Sequence, residues 1–295
     1  MSKSAPVHVP VMLEEVLRWL DPRPGAVFVD GTLGGGGHTK ALAERVGSDG
    51  LVIGVDRDPS AIDAAEKKLK GLPVRLAQAN FGNLPEILEQ LDLEVVDGVV
   101  LDLGLSSDQL EDETRGFSFA SEGPLDLRFD TDVGDPAAKL VNRLTAERLA
   151  DLIHEYGEER FSRRIARAIV KQRQQKPIET AAELASLIRR VVPKTRDSRR
   201  IDPATRTFQA LRIAVNDELR SLGTALRRIP DHLKKNGRLA IISFHSLEDR
   251  YVKNAFREDP RLDVLTKKPL RPTNDEINAN PRSRSAKLRV ASRQV

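Results

Sequence analysis

The chain has 295 residues, 39% of them hydrophobic, and a net charge of +4 at neutral pH, which is enough apolar mass for one large or two medium domains. It contains no cysteine, so disulfides, thiolate zinc sites and iron–sulfur clusters are excluded. No apolar run approaches the length of a membrane span, and the first ten residues lack a basic segment followed by a hydrophobic one, so a globular, cytoplasmic protein is expected.

Strand and helix patterns alternate through the first half of the chain. A strand over residues 26–30 runs into Gly31-Thr32-Leu33-Gly34-Gly35-Gly36-Gly37-His38, with five glycines in seven residues, and then a helix over 39–46. The apolar run Leu51-Val52-Ile53-Gly54-Val55 forms the next strand, closed by Asp56. A helix over 60–69, a strand over 74–78, a helix over 84–91 and a strand over 96–103 follow, a layout that specifies a parallel sheet covered by helices. A fifth strand, residues 238–244, comes only after a long gap; its run Leu239-Ala240-Ile241-Ile242 is apolar on both faces, and Asn236-Gly237 marks the turn before it.

The sheet is therefore expected to be interrupted. The reading is of a domain formed by residues 1–106 and 209–295, with a helical domain, 107–208, inserted. Within 158–173, Phe161, Ile165, Ala168 and Ile169 form one stripe, and Arg160, Arg164, Arg167 and Lys171 form the next. Thr180-Ala181-Ala182-Glu183 is a capping box that starts a helix stopping before Pro193. A basic loop spans 194–200. One long helix then returns to the sheet, with Phe208, Leu211, Val215, Leu219, Leu222 and Leu226 along one side.

Glycines in the first loop leave no side chain between backbone and ligand, so a cofactor can touch the main chain. The dinucleotide fingerprint G-x-G-x-x-G/A is not completed: counted from Gly34 the last position is Thr39, and counted from Gly35 it is Lys40. A cofactor with a ribose but no pyrophosphate fits better, which points to S-adenosylmethionine, with Asp56 placed to accept from both ribose hydroxyls. Without cysteine, transfer to pyrimidine ring carbon five or by cluster radical chemistry is disfavoured, leaving an oxygen or nitrogen acceptor.

Charge is segregated along the chain. Residues 160–212 hold fifteen Lys/Arg against four Asp/Glu, and residues 261–295 hold nine against three. A one-signed excess of this kind suits a polyphosphate partner, although a solvated helical face is the ordinary origin of charge runs.

Seven ordered blocks carry a resemblance. They are residues 30–38 and Leu101-Asp102-Leu103-Gly104-Leu105-Ser106-Ser107-Asp108-Gln109-Leu110, then Arg115-Gly116-Phe117-Ser118-Phe119 and Gly123-Pro124-Leu125-Asp126. Tyr156-Gly157-Glu158-Glu159-Arg160, Pro203-Ala204-Thr205-Arg206-Thr207-Phe208-Gln209 and Ser243-Phe244-His245-Ser246-Leu247-Glu248-Asp249-Arg250 complete the set. Together they resemble the ribosomal RNA small subunit methyltransferase H family, also called MraW. The resemblance implies an α/β fold, a class I S-adenosylmethionine-dependent methyltransferase sheet of Rossmann-like type with an inserted helical domain. It also implies methyl transfer to the exocyclic 4-amino group of a cytidine in the decoding region of 16S rRNA, with 16S rRNA or the small ribosomal subunit as partner. By the same resemblance the cofactor contacts fall on Gly36, Gly37, His38, Asp56, Phe81, Asp102 and Gln109.

Several of these residues have two readings. Phe81 covers an adenine or is an ordinary core aromatic, and His38 touches the cofactor or caps the helix it opens. Asp102 accepts from the methionine ammonium or from the substrate amine, making it the first candidate for the catalytic acceptor. His245 is the second candidate, or else only hydrogen-bonds within its loop. The histidines show no ligand spacing, so no metal is expected. The Asp/Asn-Pro-Pro-aromatic element of many amino-group methyltransferases is replaced here by Asp102-Leu103-Gly104-Leu105, which leaves Phe117, Phe119 or Phe244 as candidate base-stacking groups. Arg163, Arg164 and Arg206, with the basic C-terminal tail, are expected to grip phosphates around an unpaired or extruded base. A methyltransferase of DNA or protein, and a non-catalytic RNA-binding assembly factor that keeps the fold, are the competing readings.

Overall fold

The computed structural model describes residues 10–119, 122–193 and 202–294. The basic loop 194–200 and residues 1–9 of the opening segment lie outside the described residues. In chain order the helices are α1 (Leu13–Leu20), α2 (Gly37–Val46), α3 (Pro59–Lys68), α4 (Leu84–Gln90), α5 (Ser107–Glu111), α6 (Ala137–Arg143) and α7 (Ala146–Gly157). They continue with α8 (Ser162–Arg173), α9 (Ala181–Val191), α10 (Thr205–Asn216), α11 (Glu218–Arg228), α12 (Ser246–Glu258) and α13 (Asn274–Ala279). The strands are β1 (Val27–Asp30), β2 (Leu51–Asp56), β3 (Val74–Gln78), β4 (Val96–Asp102), β5 (Leu233–Ser243), β6 (Leu262–Val264) and β7 (Lys287–Arg293).

The chain divides into two compact units, residues 1–106 with 220–295, and residues 107–219. The first is built on a seven-stranded sheet in the order β3-β2-β1-β4-β5-β7-β6. β1 to β5 run parallel, while β7 is antiparallel to β5 and β6 is antiparallel to β7. Successive residues of each central strand go to opposite faces, as the pleat requires. Val29, Ile53, Val99 and Leu239 pack with Leu84, Leu88, Leu222 and Phe256 on one side. Phe28, Val52, Val100 and Ala240 pack with Leu17, Leu42 and Val46 on the other. Because both faces are covered, the strands are apolar throughout instead of alternating.

Four expectations need correction. β5 starts five residues earlier than the apolar run suggests, at Leu233: Asn236-Gly237 is a bulge within it, where Asn236 takes φ 62° and the register with β4 shifts between Val96 and Gly98. The C-terminal basic region is not a free tail, since it supplies β6 and β7, and Arg289 of β7 is buried. The expected 158–173 helix starts at Ser162, because Glu158 caps α7 in the left-handed region (φ 49°), and Ala166 replaces Ala168 in the buried stripe. The long return helix is two helices broken at Asp217 (φ 53°); α10 packs on α7, so the second unit extends to residue 219 and not to 208.

The second unit is a bundle in which α7 packs against α8 and α10, α8 against α9, and α6 against α8 and α10. The capping box is present as read: Thr180 Oγ1 accepts from Glu183 N at 3.2 Å and Glu183 Oε2 accepts from Thr180 N at 3.2 Å. Arg160, Arg164, Arg167 and Lys171 are exposed beside the buried Ile165, Ala166 and Ile169. None of the helices among the described residues is long and apolar enough to cross a membrane.

Candidate functional site

The chain's winding direction changes at β1, which has β2 on one side and β4 on the other. Open α/β sheets bind ligands outside the carboxyl ends of their strands at such a switch. Three of those ends carry acids: Asp30 on β1, Asp56 on β2 and Asp102 on β4.

Asp30 is buried and fully engaged. Its Oδ2 accepts from Thr39 Oγ1 at 2.7 Å and its Oδ1 from Thr32 N at 3.2 Å. Thr32 Oγ1 in turn accepts from Asp102 N at 2.6 Å, so one threonine ties the start of the glycine loop to the end of β4. The proximity of Asp30 contributes to the rise of the carboxyls of both Asp56 and Asp102.

Asp56 holds the loop. Its Oδ2 accepts from Gly34 N at 2.8 Å and its Oδ1 from Asp58 N at 2.9 Å. Each oxygen keeps a further lone pair, so a diol can still be received. Burial pushes this carboxyl up to about 6, the amides of Asp58 and Gly34 oppose it, and the charges of Asp58 and Asp30 add to it.

Asp102 differs in one respect: its Oδ1 is buried and has no hydrogen-bond partner among the described residues. Buried acceptors of this kind are rare because each forfeits its hydration without return. Burial pushes the carboxyl up to about 6; His38 and the Gly104 amide oppose that rise, and Asp30 and Glu248 contribute to it. The other oxygen, Oδ2, lies 3.9 Å from His38 Nδ1. His38 is itself buried in the first turn of α2, with Nε2 3.0 Å from Val11 O. A carbonyl only accepts, so Nε2 donates to Val11 O, and Nδ1 is the ring nitrogen that faces Asp102.

The glycine loop is shaped by backbone needs. Gly36 caps α2 at φ 72°, a conformation costly for any residue with a Cβ. At Gly37 a Cβ would stand 2.2 Å from the Pro10 ring, so glycine is required there for packing against the incoming chain. Lys68 of α3 donates to Gly35 O across the loop. Phe81, partly buried, opens a short turn after β3 that is capped by Asn80; its Cβ lies 3.1 Å from where a Gly31 Cβ would be, which places it beside the end of β1. Gly104 lets the Phe244 ring come within 2.7 Å of the same kind of position.

The remaining expected residues are on other elements. His245 caps α12: its Nδ1 accepts from Glu248 N at 3.3 Å, while its Nε2 sits 2.9 Å from Glu248 Oε1 but out of line for a hydrogen bond. With Nδ1 accepting, the neutral ring carries its proton on Nε2 and has no lone pair to offer a substrate. Gln109 is buried in α5 of the second unit, and its assignment rests on resemblance. Arg163 and Arg164 are exposed on α8, and Arg206 is exposed on α10 with Nη1 donating to Glu158 O at 3.4 Å. Of the other aromatics, Phe117 stacks on Phe129 and Phe119 meets Phe208 edge-on, so both have packing roles. Sequence reasoning missed Thr32, Thr39 and Glu248; only Glu248 carried a signal, the cap-x-x-Glu spacing from His245.

These residues fit S-adenosylmethionine. Three carboxylates at neighbouring strand ends concentrate negative charge there, which would repel a pyrophosphate and attract a sulfonium and an ammonium. Asp56 suits the ribose diol, Phe81 the adenine face, and the Gly34 to Gly37 backbone allows close approach.

The profile of the MraW methylase family matches residues 5–294. A curated relative from Pelobacter propionicus, named ribosomal RNA small subunit methyltransferase H, is 50% identical over 97% of this chain and 98% of its own length. Another with that name, from Rhodopirellula baltica, is 52% identical over 97% of this chain and 91% of its own.

Proposed function

Since likeness of that extent makes the chain a member of the MraW methylase family, we propose that it methylates the exocyclic 4-amino group of a cytidine in the decoding region of 16S rRNA, using S-adenosylmethionine. The reading places it in the cytoplasm with its substrate, 16S rRNA or the small ribosomal subunit. The observation that supports the site assignment is the Asp102 Oδ1 at the sheet's switch point, buried and without a hydrogen-bond partner among the described residues.

When bound, S-adenosylmethionine supplies a methyl group on a positively charged sulfur that departs as a neutral thioether. No oxyanion needs stabilising, so the protein's task is alignment and preparation of the nucleophile, and alignment alone is worth about 7 kcal/mol or more in favourable cases. Asp56 holds the ribose hydroxyls while its two amide bonds keep the loop in place. Phe81 covers the adenine. The cytosine amino nitrogen has its lone pair delocalised into the ring; Asp102 Oδ1 accepts one of its N–H hydrogens and turns the lone pair toward the methyl group. Asp102 then receives or relays the proton that the amine loses. His38, held by its Nε2 on Val11 O, stands with Nδ1 3.9 Å from Oδ2 and adds a polar ring beside the carboxylate. His245 serves as a cap that shapes the loop after β5.

Asp102→Asn preserves the shape and removes the charge. Methyl transfer measured in a single turnover should fall roughly 10²- to 10⁴-fold, while calorimetric affinity for S-adenosylmethionine stays within a few-fold. A wild-type transfer rate would remove Asp102 from the chemistry, and a collapse of cofactor affinity would reassign it to the methionine ammonium.

A further inference from the structure

Beyond β5, two strands past β4 in the sheet, α12 leaves a cleft of about 300 Å³ against β6 and β7. Its lining is Lys253, Phe256, Arg257, Val264, Lys267 and Arg289, four cations and two apolar groups with no acid. Lys253 and Arg257 stand one turn apart on α12, and they and Lys267 are exposed. None of the three forms an ion pair among the described residues.

Arg289 makes this more than a charged surface. It is 6% exposed, and its Nε donates to Asp249 Oδ1 at 2.7 Å. The other oxygen, Asp249 Oδ2, accepts from Lys287 Nζ at 3.1 Å, so the carboxylate that aims Arg289 is itself fixed. The Nε bond is the one side-chain hydrogen bond of Arg289 among the described residues, which leaves the Nη donors of a buried guanidinium unengaged at the cleft. A guanidinium whose fork is oriented from behind and idle in front matches the two acceptor oxygens of a phosphate. Phe256 and Val264 give the same cleft an apolar wall, against which a sugar or base edge can rest.

We propose that this cleft seats a backbone phosphate, with its adjoining nucleoside, of the substrate RNA at a nucleotide other than the one methylated. The proposal rests on the reading of the protein as an rRNA methyltransferase and adds a binding position to it. Arg289 and Lys267 belong to the C-terminal basic region, so part of that region's charge grips RNA as a preformed site and not as a flexible tail.

The test is the double variant Arg257→Glu/Lys267→Glu, both exposed, with Lys67→Glu on α3 as a charge-reversal control. Equilibrium binding of a decoding-region 16S RNA oligonucleotide is measured over a range of salt, with S-adenosylmethionine calorimetry on each protein to verify the fold. RNA affinity of the double variant should drop at least about tenfold, and its salt slope should shrink by about 0.7 for each phosphate that is no longer neutralised. The control should bind like the wild type. Wild-type affinity and slope in the double variant would overturn the cleft assignment while leaving the methyltransferase reading intact; a wild-type protein that binds no RNA would overturn both. Inorganic phosphate that binds the wild type but not the variant, with RNA affinity unchanged, would make the cleft a small-anion site and end the RNA proposal.

Discussion

Asp56 and Asp102 are ionised at neutral pH in surroundings that resist the charge, each raised from 3.8 to about 6 by burial. The folded protein therefore holds protons more tightly there than the unfolded chain does. The stability these two groups contribute is complete below about pH 4 and is lost as pH rises through about 6, so little of it remains at pH 7. A cationic ligand acts in the opposite sense, because it binds the ionised form. Calorimetric Kd for S-adenosylmethionine should thus rise about tenfold on acidification from pH 7 to pH 5, through Asp56, whose ionised form receives the ribose hydroxyls. A flat profile over that window would show that the Asp56 carboxylate does not receive the ligand.

Elements end where a local device ends them. α9 begins at a reciprocal cap whose two bonds satisfy amides that would otherwise be orphaned. Thr180→Ala removes one of them, and thermal or denaturant unfolding should show a loss of about 1 kcal/mol; no measurable loss would mean that α9 is held by its buried Leu184 and Ile188 alone. α12 uses the same device with His245 in the capping position, which accounts for a histidine beside β5 without a role in proton transfer. The break at Asp217 and the bulge at Asn236 depend on left-handed backbone at non-glycine residues, for which the hydrophobic pattern gives no warning.

Charge has meaning only after the chain is folded. In the C-terminal region, Arg261 is held by Asp259 and Asp231, and Lys287 and Arg289 by Asp249, so much of the apparent surplus is internally balanced. On α8 the exposed Arg163 and Arg164 have no ion-pair partner among the described residues. Their simultaneous reversal to glutamate should weaken RNA binding and flatten its salt dependence by about 0.7 for each phosphate they neutralise in the wild type. An unchanged slope would take α8 out of the RNA interface.

The alternating strands and helices, the glycine loop, the acids at the ends of β1, β2 and β4 and the Thr180 cap were all legible along the chain, because each depends on residues within a turn or a strand of one another. Seven ordered motifs were likewise enough to expect the family. What linear order could not reveal were contacts between distant segments: Thr32 with the end of β4, β7 inserted between β5 and β6, Asp249 aiming Arg289, and an Asp102 oxygen without a partner among the described residues. Periodicity reports which face of an element is apolar, but the partner across a sheet and the satisfaction of a buried polar atom are set by residues tens of positions away.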